Sequence, residues 1–329
     1  MKLYFAPMEG ITDVIFRQVF QAQFGGVDKY FMPFVSPSSS LSYTVRQDFE
    51  LSPEQNRGFF AVPQILAKDP LCFLGAARGF ADSGYTEVNL NLGCPSGTVT
   101  GKGKGSGMLR DVDGLKRFLD QVYGNSPLPV SIKTRIGFDS PAEWEKLLPV
   151  FAVYPIHELI IHPRTRGQLY RGTPYRETFA RATESLTCSL VYNGDLFTVQ
   201  DVQQVQAMFP AASGLMLGRG VLTNPALLRE IRGGAPLAME DLIRYHDRLY
   251  YAYMKTWKPL TAVGRMHVFV KYLSHSLDVP AKYVRQAMKE TQPEAYLDAV
   301  AEMFRRAQVK EVPCYSQQEY AMPTFRQDP

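Results

Sequence analysis

The chain has 329 residues, 45% of them apolar and 21% charged, with a net charge of only +4, which describes a folded protein large enough to bury a sizeable core. No apolar run approaches the roughly 18 residues of a membrane span, and Met1–Pro7 lacks the apolar stretch of a secretory leader, so a cytoplasmic protein without a membrane partner is expected. The four cysteines, Cys72, Cys94, Cys188 and Cys314, are scattered with no zinc-ligand spacing, so free thiols and no metal are expected.

Runs rich in Val, Ile, Phe and Tyr predict strands at 2–6, 29–32, 59–65, 86–91, 129–135, 157–162, 188–193 and 214–218. Helix-like segments separate them, among others at 69–82, 111–123, 141–152, 198–208 and 224–231. Strand alternating with helix predicts a parallel sheet, and eight such units fit a (β/α)₈ TIM barrel over residues 1–235. An open doubly wound sheet is disfavoured, because Ala-Pro-Met-Glu-Gly follows the first strand where a G-x-G-x-x-G loop would stand. After Gly233-Gly234 the pattern turns helical at 239–257, 261–277 and 293–308, defining a small C-terminal helical domain over 236–310. It is rich in aromatic residues and mildly basic, with 12 Lys/Arg against 8 Asp/Glu over 239–310. That balance is compatible with a polyanionic partner and equally with an ordinary solvated helical face. The tail 311–329 is polar and is expected to be loosely ordered.

Polar or special residues stand at or just past the ends of seven of the eight strands: Met8, Gln64, Asn91, Lys133, Arg135, His162, Asn193 and Gly218. A barrel gathers those ends on one face, where active sites are built. Cys94 lies between Gly93 and Pro95 on a stiff loop over that face. A thiol there is protonated at neutral pH and can act as a general acid; a small buried apolar role is the plain alternative. The glycine- and lysine-rich stretch Gly101–Gly107, with Lys102 and Lys104, reads as a mobile cationic lid. Lys133 and Arg135 alternate along one strand and so face the lumen together, where two cations need an anionic or electron-rich partner such as a reduced flavin. Asn193-Gly194-Asp195 and Gly218-Arg219-Gly220 follow the last two strands, the usual place for a phosphate site; Asp195 also reads as a cap for the helix that begins near Thr198.

Ala6-Pro7-Met8-Glu9-Gly10-Ile11-Thr12-Asp13, Gln64, Asn91-Leu92-Gly93-Cys94-Pro95-Ser96, Lys133-Thr134-Arg135-Ile136-Gly137, His162-Pro163-Arg164-Thr165, Asn193-Gly194-Asp195 and Gly218-Arg219-Gly220 together resemble the tRNA-dihydrouridine synthase family. The resemblance implies FMN on the barrel mouth, held by Pro7, Met8, Glu9, Gln64, Lys133, His162, Asn193, Gly194, Asp195, Gly218 and Arg219. It implies NADPH as reductant, hydride transfer to C6 of a uracil and protonation of C5 by Cys94. Asn91, Arg135, Lys102 and Lys104 would meet the substrate, a base flipped out of tRNA, while the helical domain would hold the RNA through phosphate and shape. Many members carry lysines directly after Cys-Pro, where this chain has the neutral Ser96-Gly97-Thr98; segment 36–58 matches no motif. A monomer is expected. The rival functions are an FMN barrel of the dihydroorotate or dihydropyrimidine type acting on a free base, and an RNA-binding protein whose chemistry is vestigial.

Overall fold

A computed structural model describes residues 1–38 and 43–315. Its strands are β1 (Lys2–Phe5), β2 (Lys29–Phe31), β3 (Ala61–Val62), β4 (Gln64–Ile65), β5 (Val88–Leu92), β6 (Val130–Gly137), β7 (Glu158–Thr165), β8 (Ser189–Asn193) and β9 (Gly214–Leu217). They form one sheet in the order β3-β2-β1-β9-β8-β7-β6-β5-β4, and each neighbouring pair is parallel. The two ends of that order, β3 and β4, are consecutive in the chain and separated only by Pro63. Proline has no N–H to give to a ladder, so the third barrel strand breaks there. Its first half pairs with β2 and its second with β5, and the sheet closes on itself as the predicted barrel.

The strands are mostly buried because both of their faces are covered, and the polar residues they carry are largely hydrogen-bonded to one another. Tyr4, Ala6, Phe31, Val62, Ile160, Val191 and Met216 form one buried cluster. Helices begin where the sequence supplies caps. Asp13 accepts from the Phe16 N–H ahead of Val14–Gln23, and Asp69 accepts from the Leu71 N–H ahead of Pro70–Asp82.

Of segment 36–58, residues 39–42 lie outside the described residues, and residues 43–58 have a structural role that their sequence does not announce. Thr44 and Gln47 form a capping box at the start of helix Val45–Leu51. Glu50 near its end meets the fully buried Arg17 at 2.6 Å, and Arg17 also donates to Asn56 at 2.8 Å. The segment therefore neutralises a buried cation of the first barrel helix.

The chain divides into two compact units, Met1–Leu196 with Gln200–Gly218, and Phe197–Val199 with the chain from Arg219 onward. The division falls at Gly218/Arg219, ahead of the Gly233-Gly234 break. The reason is local: the Thr223 carbonyl accepts from Ser276 at 2.6 Å, tying helix Arg219–Thr223 to the C-terminal helices. Those helices are Met239–Thr256, Pro259–Ser274, Ala281–Lys289 and Pro293–Arg305. Tyr245, Tyr250, Tyr253, Phe269 and Tyr272 are buried among them, whereas Tyr251 is exposed. The predicted tail lies outside the described residues from 316 on. Among the described residues, no helix is long and apolar enough to cross a membrane.

Candidate active site

The register of the barrel aligns the predicted residues. Asn91 pairs with Lys133, and Arg135 pairs with His162 on the next strand. Cys94 lies immediately beyond β5, on a loop whose backbone is held from several directions. The Asn91 side-chain oxygen accepts from the Gly93 and Cys94 N–H groups at 3.0 and 2.9 Å. Arg135 Nε donates to the Gly93 carbonyl at 2.9 Å. The Cys94 carbonyl accepts from the Ser106 hydroxyl at 2.8 Å and from the Ser106 N–H at 3.2 Å. Arg166 Nε reaches the Pro95 carbonyl at 3.2 Å.

The Cys94 thiol is half-buried. Burial pushes its pKa up, against the opposing pull of the Ser96 backbone, Arg135 and Lys133. The group is therefore an acid at neutral pH, able to donate a proton and then be recharged from solvent. It is a poor thiolate nucleophile in this setting.

Lys133 supplies the cation. It is half-buried and makes no hydrogen bond or ion pair with any described residue. Burial and the neighbouring Arg135 pull its pKa down to about 7, with Cys94 opposing. An ammonium in that position lacks an anionic or electron-rich partner.

Arg135, expected at the substrate, is engaged largely by the protein itself. It is buried, and its Nη1 donates to the Thr165 and Leu169 carbonyls at 2.8 and 2.7 Å, in addition to the bond from Nε to Gly93. Its fork of donors is thus largely spent on backbone, bracing the Cys94 loop against the loop after β7. Asn91 likewise turns to the protein, giving its amide to Gln64 at 2.7 Å. Gln64 is buried and passes its own amide to Asn89 at 2.7 Å.

The lid reading of Gly101–Gly107 is corrected. Gly105, Ser106 and Gly107 are buried, in a 3₁₀ turn that spans Gly105–Arg110. A side chain at Gly105 would come within 2.9 Å of the Cys94 carbonyl, and one at Gly107 within 2.9 Å of the Thr100 carbonyl. The glycines permit close packing beneath the cysteine loop, and do not form a free flap. Lys104 reaches Ser36 at 2.6 Å, and Lys102 is exposed.

On β7, the strand next to β6, Arg164 carries no role read from the sequence. It is fully buried, pairs with both carboxylate oxygens of Asp195, and donates to His162 Nε2 at 3.2 Å. Arginine can only donate, so Nε2 accepts and the His162 proton sits on Nδ1. Alternation along β7 places His162 and Arg164 on one face, as it does Lys133 and Arg135, so the same rule could have found Arg164. The Asp195 carboxylate is engaged by this arginine. Asn193 donates to the Met216 carbonyl at 2.8 Å.

The flavin-mononucleotide expectation can be tested on what these residues leave open. At Gly218 a side chain would meet Met8 sulfur at 3.6 Å and Ala6 at 3.4 Å, and at Gly194 it would meet the His162 ring at 3.3 Å. Both glycines keep side-chain bulk away from the mouth. A half-buried unpaired ammonium, a neutral histidine with a fixed proton and small residues after the last two strands fit a planar electron-rich ring with a phosphate end. Pro7 and Met8 are half-buried and Glu9 is exposed just past β1. Arg219 belongs to the second unit, where its guanidinium lies over the rings of Phe197 and Tyr315 at 5.2 and 5.1 Å. Among the described residues no three His, Cys, Asp or Glu side chains gather as a metal site.

Comparison with known proteins bears on the fold and the family. Solved structures with the same barrel include the old yellow enzyme homologue from Zymomonas mobilis, with a TM-score of 0.51 at 12% identity, covering 72% of this chain and 90% of that one. A morphinone reductase variant in complex with tetrahydroNAD gives 0.51 at 12% identity, covering 71% and 87%. At such identities the likeness concerns fold alone. In sequence, the chain is 29% identical over 290 residues to a tRNA-dihydrouridine(16) synthase of Pseudomonas putida, covering 84% of this chain and 89% of the relative. It is 30% identical over 277 residues to a probable tRNA-dihydrouridine synthase 2 of Bacillus subtilis, covering 80% and 83%. The profile of the dihydrouridine synthase family matches residues 4–309, and the chain belongs to that family.

Proposed function

We propose that this protein reduces the C5=C6 bond of a uridine in tRNA, with FMN on the barrel mouth, NADPH as reductant and Cys94 as the proton donor. The observation that carries this reading is the pairing of a protonated, half-buried thiol with an unpartnered lysine on the adjacent strand. FMN bound there would supply the hydride. Lys133 would hold the electron-rich ring, as would His162 through its fixed Nδ1 proton, with Gly194 and Gly218 leaving room for backbone to approach the phosphate end. Cys94 would give its proton to C5 of the uracil as C6 receives the hydride, and the thiol would recover a proton from solvent. The Asn91 bonds and the Arg135 clamp keep the sulfur at one place relative to the ring.

The test is the visible spectrum of the purified protein before and after NADPH in the absence of air, followed by analysis of an unmodified tRNA transcript for dihydrouridine. Flavin bands that bleach with NADPH and recover with tRNA, with dihydrouridine formed, are expected. Bleaching with recovery on free uracil or a free nucleoside, and none on tRNA, would favour the free-base barrel reading. A protein that cannot be loaded with FMN would end the proposal.

A further inference from the structure

Beside the cysteine loop, the Phe138 ring carries two arginines. Arg110 lies over it at 3.6 Å from guanidinium carbon to ring centre, and Arg166 at 5.1 Å. The two cations are therefore less than about 9 Å apart, about one screening length at physiological salt. Phe138 itself is 4% exposed, so the ring serves as a buried spacer holding two charged planes.

Neither guanidinium has a carboxylate. Arg110 makes no hydrogen bond or ion pair with any described residue, and the side chain of Arg166 makes one hydrogen bond, to the Pro95 carbonyl. Arginines that exist to stabilise the fold are normally matched by acceptors, as Arg17, Arg135 and Arg164 are here. Two like charges brought together without an anion destabilise each other. The loop they flank, Pro95-Ser96-Gly97-Thr98, is uncharged, so the positive charge next to Cys94 comes from residues remote in sequence.

We infer that Arg110 and Arg166, spaced by Phe138, form a phosphate-binding site for the RNA backbone next to the nucleotide whose base enters the mouth. Guanidinium forks match phosphate oxygens. A base brought to the Cys94 thiol carries its backbone phosphates with it, and Arg166 is bonded to the residue that follows that thiol. Arg110 is exposed, so the pair is open to a polyanion arriving from solvent. The inference rests on tRNA being the substrate. The phosphates of the nicotinamide cofactor share this chemistry, and the experiment separates the two.

The experiment measures binding of flavin-loaded protein to a tRNA transcript across a salt series, for wild type, Arg110→Ala and Arg110→Glu, together with KM for NADPH. Removing one phosphate contact lowers the slope of log affinity against log salt by about 0.7 to 0.9. Arg110→Ala is expected to show that loss and Arg110→Glu a larger one, with flavin content and KM for NADPH unchanged. An unchanged slope in both variants overturns the site. So does a raised KM for NADPH with an unchanged slope, which would assign the arginines to the nicotinamide cofactor. Wild-type protein that binds tRNA no better than an unstructured RNA of equal length would refute the tRNA reading itself.

Discussion

The side-chain oxygen of Asn91 accepts the backbone N–H of Cys94 at 2.9 Å, and the direction of that bond is set at the other end of the barrel. The Glu87 carboxylate, paired with Lys29 at 2.8 Å, can only accept. The Ser131 hydroxyl donates to it at 2.6 Å and so accepts from Asn89, which accepts from Gln64, which accepts from Asn91. Each amide is forced to point its nitrogen toward Glu87. The oxygen of Asn91 is left facing the cysteine loop.

Replacing Asn91 with Ala would leave the Gly93 and Cys94 N–H groups and the Gln64 oxygen without partners, at about 1–3 kcal/mol for each group that stays dry. Product formation is expected to fall by about 100-fold through displacement of the thiol, with flavin reduction by NADPH unchanged. In a Cys94→Ala background the same substitution should add little further loss. If the two losses multiply, Asn91 acts on substrate independently of Cys94.

Cys94→Ala should retain FMN and oxidise NADPH while product formation drops by about 10²- to 10⁴-fold, the usual contribution of a general acid. Alkylation of Cys94 in wild type should show a midpoint above that of an ordinary thiol, since burial raises it. Loss of flavin in the alanine variant would make the residue structural.

Lys133 makes flavin binding pH-dependent. With a pKa of about 7 in the flavin-free protein, it is charged below neutrality and uncharged above. An electron-rich ligand favours the ammonium, so FMN affinity should decline as pH rises through 7. Lys133→Arg should flatten that dependence, and Lys133→Met should abolish it and bind weakly throughout. The linked stability has a definite sign. The folded state binds fewer protons than the unfolded one between about pH 7 and pH 10.4, so the lysine's penalty on the flavin-free fold is full below 7 and fades across that window. Lys133→Met should therefore melt higher than wild type in acid, with the gap closing toward alkaline pH. A constant gap in melting temperature would show that Lys133 does not titrate there.

Much of this was legible in the sequence, because the barrel depends on local signals. Apolar runs mark strands, capping residues such as Asp13 and Asp69 mark helix starts, and period-two alternation puts Lys133 beside Arg135. What the sequence could not show is which donors are already spent. Arg135 and Lys133 look equivalent along β6, yet one is satisfied by the carbonyls of Gly93, Thr165 and Leu169 and the other by nothing among the described residues. Arg17 finds Glu50 across 33 residues, and Lys29 finds Glu158 across 129. Pairings at that range follow from barrel closure and leave no pattern in the chain.

Gly105 distinguishes a clamp from a lid. Its φ is +57°, a conformation costing other residues about 1–2 kcal/mol. An alanine methyl there would sit 2.9 Å from the Cys94 carbonyl and 3.1 Å from its β-carbon, so the cysteine loop must shift. Were the stretch a lid, its glycines would matter for closing over substrate, and Gly105→Ala would act mainly on tRNA affinity. As a clamp it acts on the thiol. The variant should keep its flavin, reduce it with NADPH at the normal rate and bind tRNA normally, yet transfer the proton poorly, with product formation down by about 10- to 100-fold, since small misplacements of a catalytic group are costly. Single-turnover reoxidation of the reduced flavin by saturating tRNA isolates that step. A normal rate there, with weakened tRNA binding, would restore the lid.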